Sequence, residues 1–480
     1  MNYRMILRTL GLLLIFEAGF FTVPIITGLF YLEWRAILGF FIAAICSLGV
    51  GLAIHYFIKP KTTQLYSKDG YVIVALSWIV LSLFGALPFI FSGVTTSYID
   101  ALFETVSGFT TTGASIFGDV EALPHAILMW RSFTHWVGGM GVLVFIMAFL
   151  PLSGAQNMHI MKAESPGPSV SKLVPKVKTT ALILYVLYFS LTFIEFILLL
   201  CGKASLFEAL NLSFATAGTG GFGFRNDSVA SFSPYIQIVV TVFMFLFSIN
   251  FGSYYLLLKA KIKDAFNSEV RVFLLVVFSA ILIIALNINN NFDTVGETIR
   301  HAAFTVASII STAGFSTVDF NLWPELSKLI LVFLMFVGAC AGSTGGGMKV
   351  SRFIILGKGM SREVKNIVHP NQVKKITMDG RKVEHEVVRA VNSYVACFFV
   401  LFALSLFLLS FENLDFTTTF TATATTINNV GPGLAGVGPT QNFGFFSSFS
   451  KIVLIFNMLA GRLELFPMLV LFSPATYRKF

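Results

Sequence analysis

The chain has 480 residues, of which 56% are hydrophobic, 15% aromatic and only 12% charged. An ordinary soluble domain carries about a quarter charged residues, so this composition excludes a disordered chain, a nucleic-acid binder and a typical soluble enzyme. The mean hydropathy of +0.81 makes lipid the natural solvent, and the net charge of +9 becomes a question of sidedness across a membrane.

In chain order, full-length apolar runs lie near 9–32, 36–58, 71–93, 125–150, 181–201, 234–258, 270–288, 326–355, 389–411 and 446–472. Each can cross about 30 Å of hydrocarbon as a helix, which predicts about ten transmembrane helices. The period-2 alternation of a sheet protein is absent. Arg4 and Arg8 precede the first run, but that run is long and lacks a convincing small-residue cleavage site, so it is expected to remain as a span. Cys46, Cys201, Cys340 and Cys397 are widely spaced and form no metal or disulfide pattern.

Four shorter apolar segments, near 98–110, 204–216, 296–311 and 414–428, alternate with the long ones. They are too short to span and suit re-entrant half-helices. Acids stand near their starts: Asp100 and Glu104, Glu208, Asp293 and Glu297, and Asp415. Such charges complement the helix dipole. With the N-terminus inside and ten alternating spans, 25 of the 33 Lys and Arg fall on the inner side, ten of them between Lys349 and Arg389. Sixteen of the 24 acids fall in the spans or outside. This asymmetry predicts a cytoplasmic N-terminus, half-helices entering from outside, and an outer face that attracts cations.

The order span, half-helix, Gly-rich stretch, span recurs four times. The stretches read Phe109-Thr-Thr-Thr-Gly113, Phe214-Ala-Thr-Ala-Gly218, Ile310-Ser-Thr-Ala-Gly314 and Ile427-Asn-Asn-Val-Gly431. Removing water from an ion at membrane depth requires oxygens in its place. A ring of backbone carbonyls supplies them, and glycine permits the backbone to turn. Thr111, Thr112, Gly113; Thr216, Ala217, Gly218; Thr312, Ala313, Gly314; and Asn429, Val430, Gly431 are therefore the expected cation-binding selectivity filter, through their carbonyls. The competing explanation for these glycines is helix packing. Gly218-Thr-Gly220-Gly-Phe-Gly223 fits a dinucleotide pattern but follows a half-helix, not a strand, so that reading is rejected.

Within the run from 326, Gly338-Ala-Cys-Ala-Gly342-Ser-Thr-Gly345-Gly-Gly347 cannot continue as helix, because each mid-helix glycine costs about 1 kcal/mol against alanine. Gly342, Ser343, Thr344, Gly345, Gly346 and Gly347 are expected to form a mobile loop under the filter, hence a gate; a static kink is the alternative. Arg462 lies well inside the last run, where it would raise a barrier to cations or join a structural ion pair. Glu17 and Glu195 lie outside the repeated elements and read as structural. His125, His135 and His301 have no ligand-spaced partners, and Arg131 with His135 reads as a packing or capping cluster. No catalytic constellation emerges, so no enzyme is expected.

These features resemble the Trk/Ktr/HKT superfamily of potassium transporters, and within it the pore subunits of bacterial Trk uptake systems. The motifs are Thr111-Thr-Gly113, Trp136-Val-Gly-Gly-Met-Gly141, Ala163-Glu-Ser-Pro-Gly-Pro168, Ala339-Cys-Ala-Gly-Ser-Thr-Gly-Gly-Gly347, Asn429-Val-Gly-Pro-Gly433 and Gly461-Arg-Leu-Glu464. His135 departs from the glutamine that the family commonly carries there. The resemblance implies an all-α multi-pass protein with four helix, half-helix, helix repeats in a pseudo-fourfold ring around one ion pore. The expected divisions are two extra N-terminal helices in 1–70 and pore repeats in 71–180, 181–269, 270–386 and 387–480. The resemblance further implies a homodimer in lipid of the bacterial inner membrane, gated by a cytoplasmic ring of nucleotide-binding subunits, with potassium as cargo and neither an organic cofactor nor nucleic acid. A coupled K+/H+ or K+/Na+ symporter is the alternative, but the filter stretches hold no titratable group.

Overall fold

The computed structural model describes residues 1–59, 65–141, 177–370 and 375–478. Ala163-Glu-Ser-Pro-Gly-Pro168 and residues 142–150 of the run at 125–150 lie outside them. The described chain is helical apart from a two-stranded antiparallel hairpin, Thr377–Met378 with Arg381–Lys382.

Among the described residues six helices are long and apolar enough to cross a membrane: Tyr3–Tyr31, Trp34–Phe57, Ser67–Phe91, Thr179–Cys201, Ser268–Asn291 and His385–Glu412. Ser67–Phe91 is 61% buried by its neighbours, whereas Thr179–Cys201 is 22% buried. The second of these two turns Val186, Phe189 and Phe193 outward, an apolar surface suited to lipid. Between helices in lipid, close contact replaces the hydrophobic effect as the source of cohesion. Tyr3–Phe20 crosses Trp34–Phe57 where Gly11 and Gly51 face each other; a β-carbon on Gly51 would stand 2.7 Å from the Gly11 carbonyl oxygen. Deeper inside, Trp130 packs among Phe21, Phe40 and Phe109 and donates its indole N–H to the Gly85 carbonyl at 3.1 Å. That bond satisfies a polar atom with no water in reach.

The four half-helices run Tyr98–Phe109, Leu206–Gly218, Val295–Ser311 and Phe416–Asn428. Each starts at an N-cap whose side chain accepts the backbone N–H three residues on: Ser97 from Asp100, Ser205 from Glu208, Thr294 from Glu297 and Asp415 from Thr418. Their inner ends are buried almost completely.

The four apolar runs that follow the half-helices differ from unbroken spans. His125–Gly139 ends at Met140. Pro234–Ser248 and Phe251–Leu258 meet at 91° across Ile249 and Asn250. Glu325–Val337 stops at Gly338, and helix resumes at Val350–Val368. Ser448–Arg462 breaks at Leu463, with Glu464 and Leu465 at φ 55° and 65°, before Phe466–Phe472. The first and third breaks announce themselves by consecutive glycines in the sequence, Gly138-Gly139 and Gly345-Gly-Gly347. The second holds Ile249 and Asn250 inside an apolar run, and the fourth, at Leu463, stands between Arg462 and Glu464.

Candidate functional site

All four half-helices end in the same turn. The residue after the last turn is left-handed in each: Thr111 (φ 55°), Thr219 (53°), Thr312 (63°) and Asn429 (56°). The next residue sends its N–H back to the carbonyl five positions earlier. Thr112 bonds Ser107 at 2.9 Å, Gly220 bonds Ala215 at 2.9 Å, Ala313 bonds Ser308 at 2.8 Å and Val430 bonds Thr425 at 2.9 Å. This is the Schellman closure, which normally has glycine at the left-handed site. Threonine there stores roughly 1–2 kcal/mol of strain that the surrounding packing must hold.

One residue further on stand Gly113, Gly221, Gly314 and Gly431, at φ 78°, 76°, 80° and 95°. They close a ring. A β-carbon on Gly113 would collide with the Gly220 carbonyl oxygen, one on Gly221 with that of Ala313, and one on Gly314 with that of Val430. On Gly431 it would stand 2.7 Å from the Thr112 oxygen. Each glycine thus lies against the carbonyl that precedes the next glycine around the circle. All four line one cavity, together with Ser115, Arg131 and Asn442.

The second segment differs from the sequence expectation. Thr216, Ala217 and Gly218 belong to the half-helix itself, and the residues equivalent to Thr111-Thr-Gly113 are Thr219-Gly220-Gly221. The tripeptide Thr-Ala-Gly occurs at both 216–218 and 312–314, but only the second copy follows the left-handed turn. Gly218 instead permits a close approach between helices, since a β-carbon there would strike the backbone oxygen of His135. The other nine expected filter residues occupy the ring segments.

Sequence reasoning also missed what supports the ring. Arg131 is buried and pairs with Glu104 at 2.7 Å, while giving N–H bonds to the Gly223 carbonyl at 2.9 Å and to Ser115 at 3.1 Å. Glu104 in turn accepts from the Ile116 N–H at 2.9 Å. A buried ion pair holds position when its remaining hydrogen-bond capacity is filled, as here. Outside, Arg225 pairs with Glu208 at 2.6 Å. Asp119, exposed at the surface, accepts the Asn226 amide at 2.8 Å, which holds its carboxyl below the usual range. The Trp136-Val-Gly-Gly run is a packing device. A β-carbon on Gly138 would strike the Phe109 oxygen, and one on Gly139 would lie 2.8 Å from Gly218 Cα.

The glycine loop, 338–349, sits against the inner ends of the third and fourth half-helices. The Gly346 N–H donates to Thr312 Oγ1 at 2.6 Å and the Gly347 N–H to the Asn428 carbonyl at 3.0 Å. The Gly342 carbonyl accepts from the Phe251 N–H at 3.0 Å, Ser343 Oγ donates to the Cys340 carbonyl at 2.6 Å, and Thr344 Oγ1 donates to the Phe247 carbonyl at 3.1 Å. The buried ammonium of Lys349 donates to the Gly345 and Gly346 carbonyls. Arg462 reaches the same loop: its guanidinium donates to the Thr344 carbonyl at 2.7 Å and to the Gly138 and Gly139 carbonyls at 2.6 and 2.7 Å. Glu464, two residues on, pairs with Arg352. Among the described residues no cluster of three His, Cys, Asp or Glu could hold a metal ion.

An apolar helical protein whose chain closes a four-part ring at the floor of one cavity is a multi-pass membrane transport protein. The family model described as "TrkH: Cation transport protein" matches residues 35–477, and the chain belongs to that family, one of transporters rather than enzymes. It is 36% identical to "Trk system potassium uptake protein TrkH" of Escherichia coli K12 over 488 residues, covering 100% of both chains. It is 32% identical to "Trk system potassium uptake protein TrkG" of the same strain, covering 95% of this chain and 94% of the other. The crystal structure of "the Potassium Transporter TrkH from Vibrio parahaemolyticus" superposes with a TM-score of 0.89 at 33% identity, each chain covered completely.

Proposed function

We propose that this chain is the membrane subunit of a bacterial potassium uptake system and passes potassium through the ring as a gated pore. The observation that carries the reading is the closed circle of Thr112, Gly220, Ala313 and Val430 carbonyls, each backed by a glycine of the adjoining segment. Such a circle replaces a hydration shell without fixed negative charge. The inner ends of four half-helices add the negative ends of their dipoles. The ring segments hold no titratable side chain, which favours passive conduction over coupling to H+ or Na+.

In this reading the loop 342–347 is the gate and Arg462 its latch, since one guanidinium joins the Thr344 carbonyl to the end of His125–Gly139. Control comes from the cytoplasmic side, in the inner membrane, by a nucleotide-binding partner acting on a homodimer. Support lies in a continuous line of contacts. Asp379 in the hairpin turn accepts from the N–H of Ser268 at 2.7 Å, and the neighbouring Glu269 accepts from the N–H of Ala341 at 2.7 Å and of Ser351 at 3.1 Å. One carboxylate oxygen thereby holds both ends of the glycine segment. The test is ⁸⁶Rb⁺ uptake into proteoliposomes holding only this chain. Uptake driven by a potassium gradient, with a reversal potential that ignores pH, supports the pore. A reversal potential that moves with pH or sodium refutes it in favour of symport.

A further inference from the structure

The four helices that follow the half-helices have a shared inner position, eleven residues past their N-caps Pro124, Ser233, Pro324 and Ser447. It holds His135, Met244, Met335 and Met458, all without exposed surface. Three of four are apolar fillers. The fourth is an imidazole with both nitrogens bonded: Nδ1 lies 2.7 Å from the Gly108 carbonyl, and Nε2 accepts the Phe222 N–H at 3.2 Å.

Both partners adjoin ring segments, Gly108 from the last turn of the first half-helix and Phe222 from just beyond the second segment. The Gly108 carbonyl also takes the Thr111 N–H at 3.1 Å and so closes the left-handed turn of the first segment. Phe222 directly follows Gly221 in the second segment. Between them the imidazole lies so close to Gly220 that a β-carbon there would overlap it, and Gly220 supplies the carbonyl that Gly113 faces. The two bonds can form together only with Nδ1 protonated and Nε2 bare, which is the neutral Nδ1–H tautomer. Methionine would fill the volume and make neither bond. Glutamine can make both, its amide N–H giving to Gly108 and its oxygen accepting from Phe222.

We propose that His135, as the neutral Nδ1–H tautomer, is a positioning residue that sets the spacing between the first two ring segments and thereby the discrimination between potassium and sodium. The proposal rests on the ring being the selectivity filter. The experiment measures the ⁸⁶Rb⁺ to ²²Na⁺ flux ratio in proteoliposomes for the wild type, His135→Met, His135→Gln and Gly431→Ser, with thermal midpoints alongside. His135→Met, which makes the first helix like the other three, is expected to lower the ratio by about threefold to tenfold, the scale of one or two lost neutral hydrogen bonds. His135→Gln is expected to keep the wild-type ratio. A folded His135→Met with the wild-type ratio, or a His135→Gln as poor as His135→Met, overturns the positioning role while a damaged Gly431→Ser leaves the filter standing. If Gly431→Ser also keeps the ratio, the filter reading fails and this inference with it. Should His135→Met not fold, ¹⁵N NMR of the wild-type imidazole decides: a single ring proton on Nδ1 supports the proposal, and a proton on Nε2 overturns it.

Discussion

The half-helices all end in one way, and the helices that follow them end in four. Thr111, Thr219, Thr312 and Asn429 share one dihedral, one backbone closure and one following glycine. Below them, one helix stops at Met140, one turns through 91°, one opens into twelve non-helical residues from Gly338 to Lys349, and one breaks at Leu463. Uniform geometry is what a single spherical ion demands of the groups around it. Among the described residues the loop that carries Lys349 and is met by Arg462 is the third, and in the proposed reading it is the element that moves against the rest. The outer layer is thus built by repetition and the inner layer by exception.

The strongest way to break this comparison is to disturb the uniform layer. Gly113→Ser puts a β-carbon onto the Gly220 carbonyl at a φ of 78°. The left-handed backbone alone costs a non-glycine residue about 1–2 kcal/mol, and the overlap must also be relieved by moving the second segment. The ⁸⁶Rb⁺ to ²²Na⁺ permeability ratio is expected to drop by about an order of magnitude, since roughly 1.4 kcal/mol is tenfold. Serine at Gly221, Gly314 or Gly431 should act in the same direction. An effect at Gly113 alone would show that the four segments do not share the work.

The exceptional layer is tested at Arg462. A unit positive charge about 6 Å from a passing cation, at an effective dielectric of about 20, costs near 3 kcal/mol, which water in the path reduces to about 1–2. Arg462→Ala is therefore expected to raise flux several-fold to about thirtyfold with little change in selectivity. Arg462→Lys separates charge from latch. Lysine keeps the charge but cannot fork to Thr344, Gly138 and Gly139 together. Raised flux in both variants identifies the latch. Raised flux in alanine alone identifies the charge barrier, and wild-type flux in both removes Arg462 from the gate.

How much of this is legible in the residues follows from the same contrast. The half-helices fall within about two residues of their expected bounds, because their caps and short apolar lengths are local signals. The second ring segment lies three residues beyond its expected place. Short-range identity, Leu-Phe-Glu at both 102–104 and 206–208, aligns residues with different positions in their helices: Glu104 faces Arg131 deep inside, whereas Glu208 caps the helix start. Counting from the N-cap finds it, since Ser97 to Thr111, Ser205 to Thr219 and Asp415 to Asn429 are the same distance along the chain. The break at Ile249 carries no such signal, because an apolar run continues on both sides of it, and the break at Leu463 is marked only by Arg462 and Glu464 within an otherwise apolar run. The Arg131–Glu104 pair joins two elements that only the fold brings together.

The smallest effect sharpens the comparison at the outer end of the half-helices, where uniformity is not complete. Three caps are hydroxyls, and the fourth, Asp415, is a carboxylate taking the Thr418 N–H at 2.8 Å. Bonds from the Thr418 hydroxyl and backbone hold the Asp415 carboxyl below its usual range. A depressed folded value means that its stabilisation is complete above the unfolded value of about 3.9 and is lost as pH falls through the folded one. Asp415→Ala should cost about 1 kcal/mol at neutral pH, the usual worth of a cap. Asp415→Asn, which caps without a charge, should cost less and should not titrate. Thermal midpoints from pH 7 down to about pH 3 are the measurement. The gap between wild type and Asp415→Ala should narrow at the acid end, while the gap produced by Ser97→Ala should stay level, because a hydroxyl has no proton to gain there. Parallel pH curves for Asp415→Ala and Ser97→Ala would mean that the fourth cap works through its shape alone, and the four half-helices would then be equivalent at both ends.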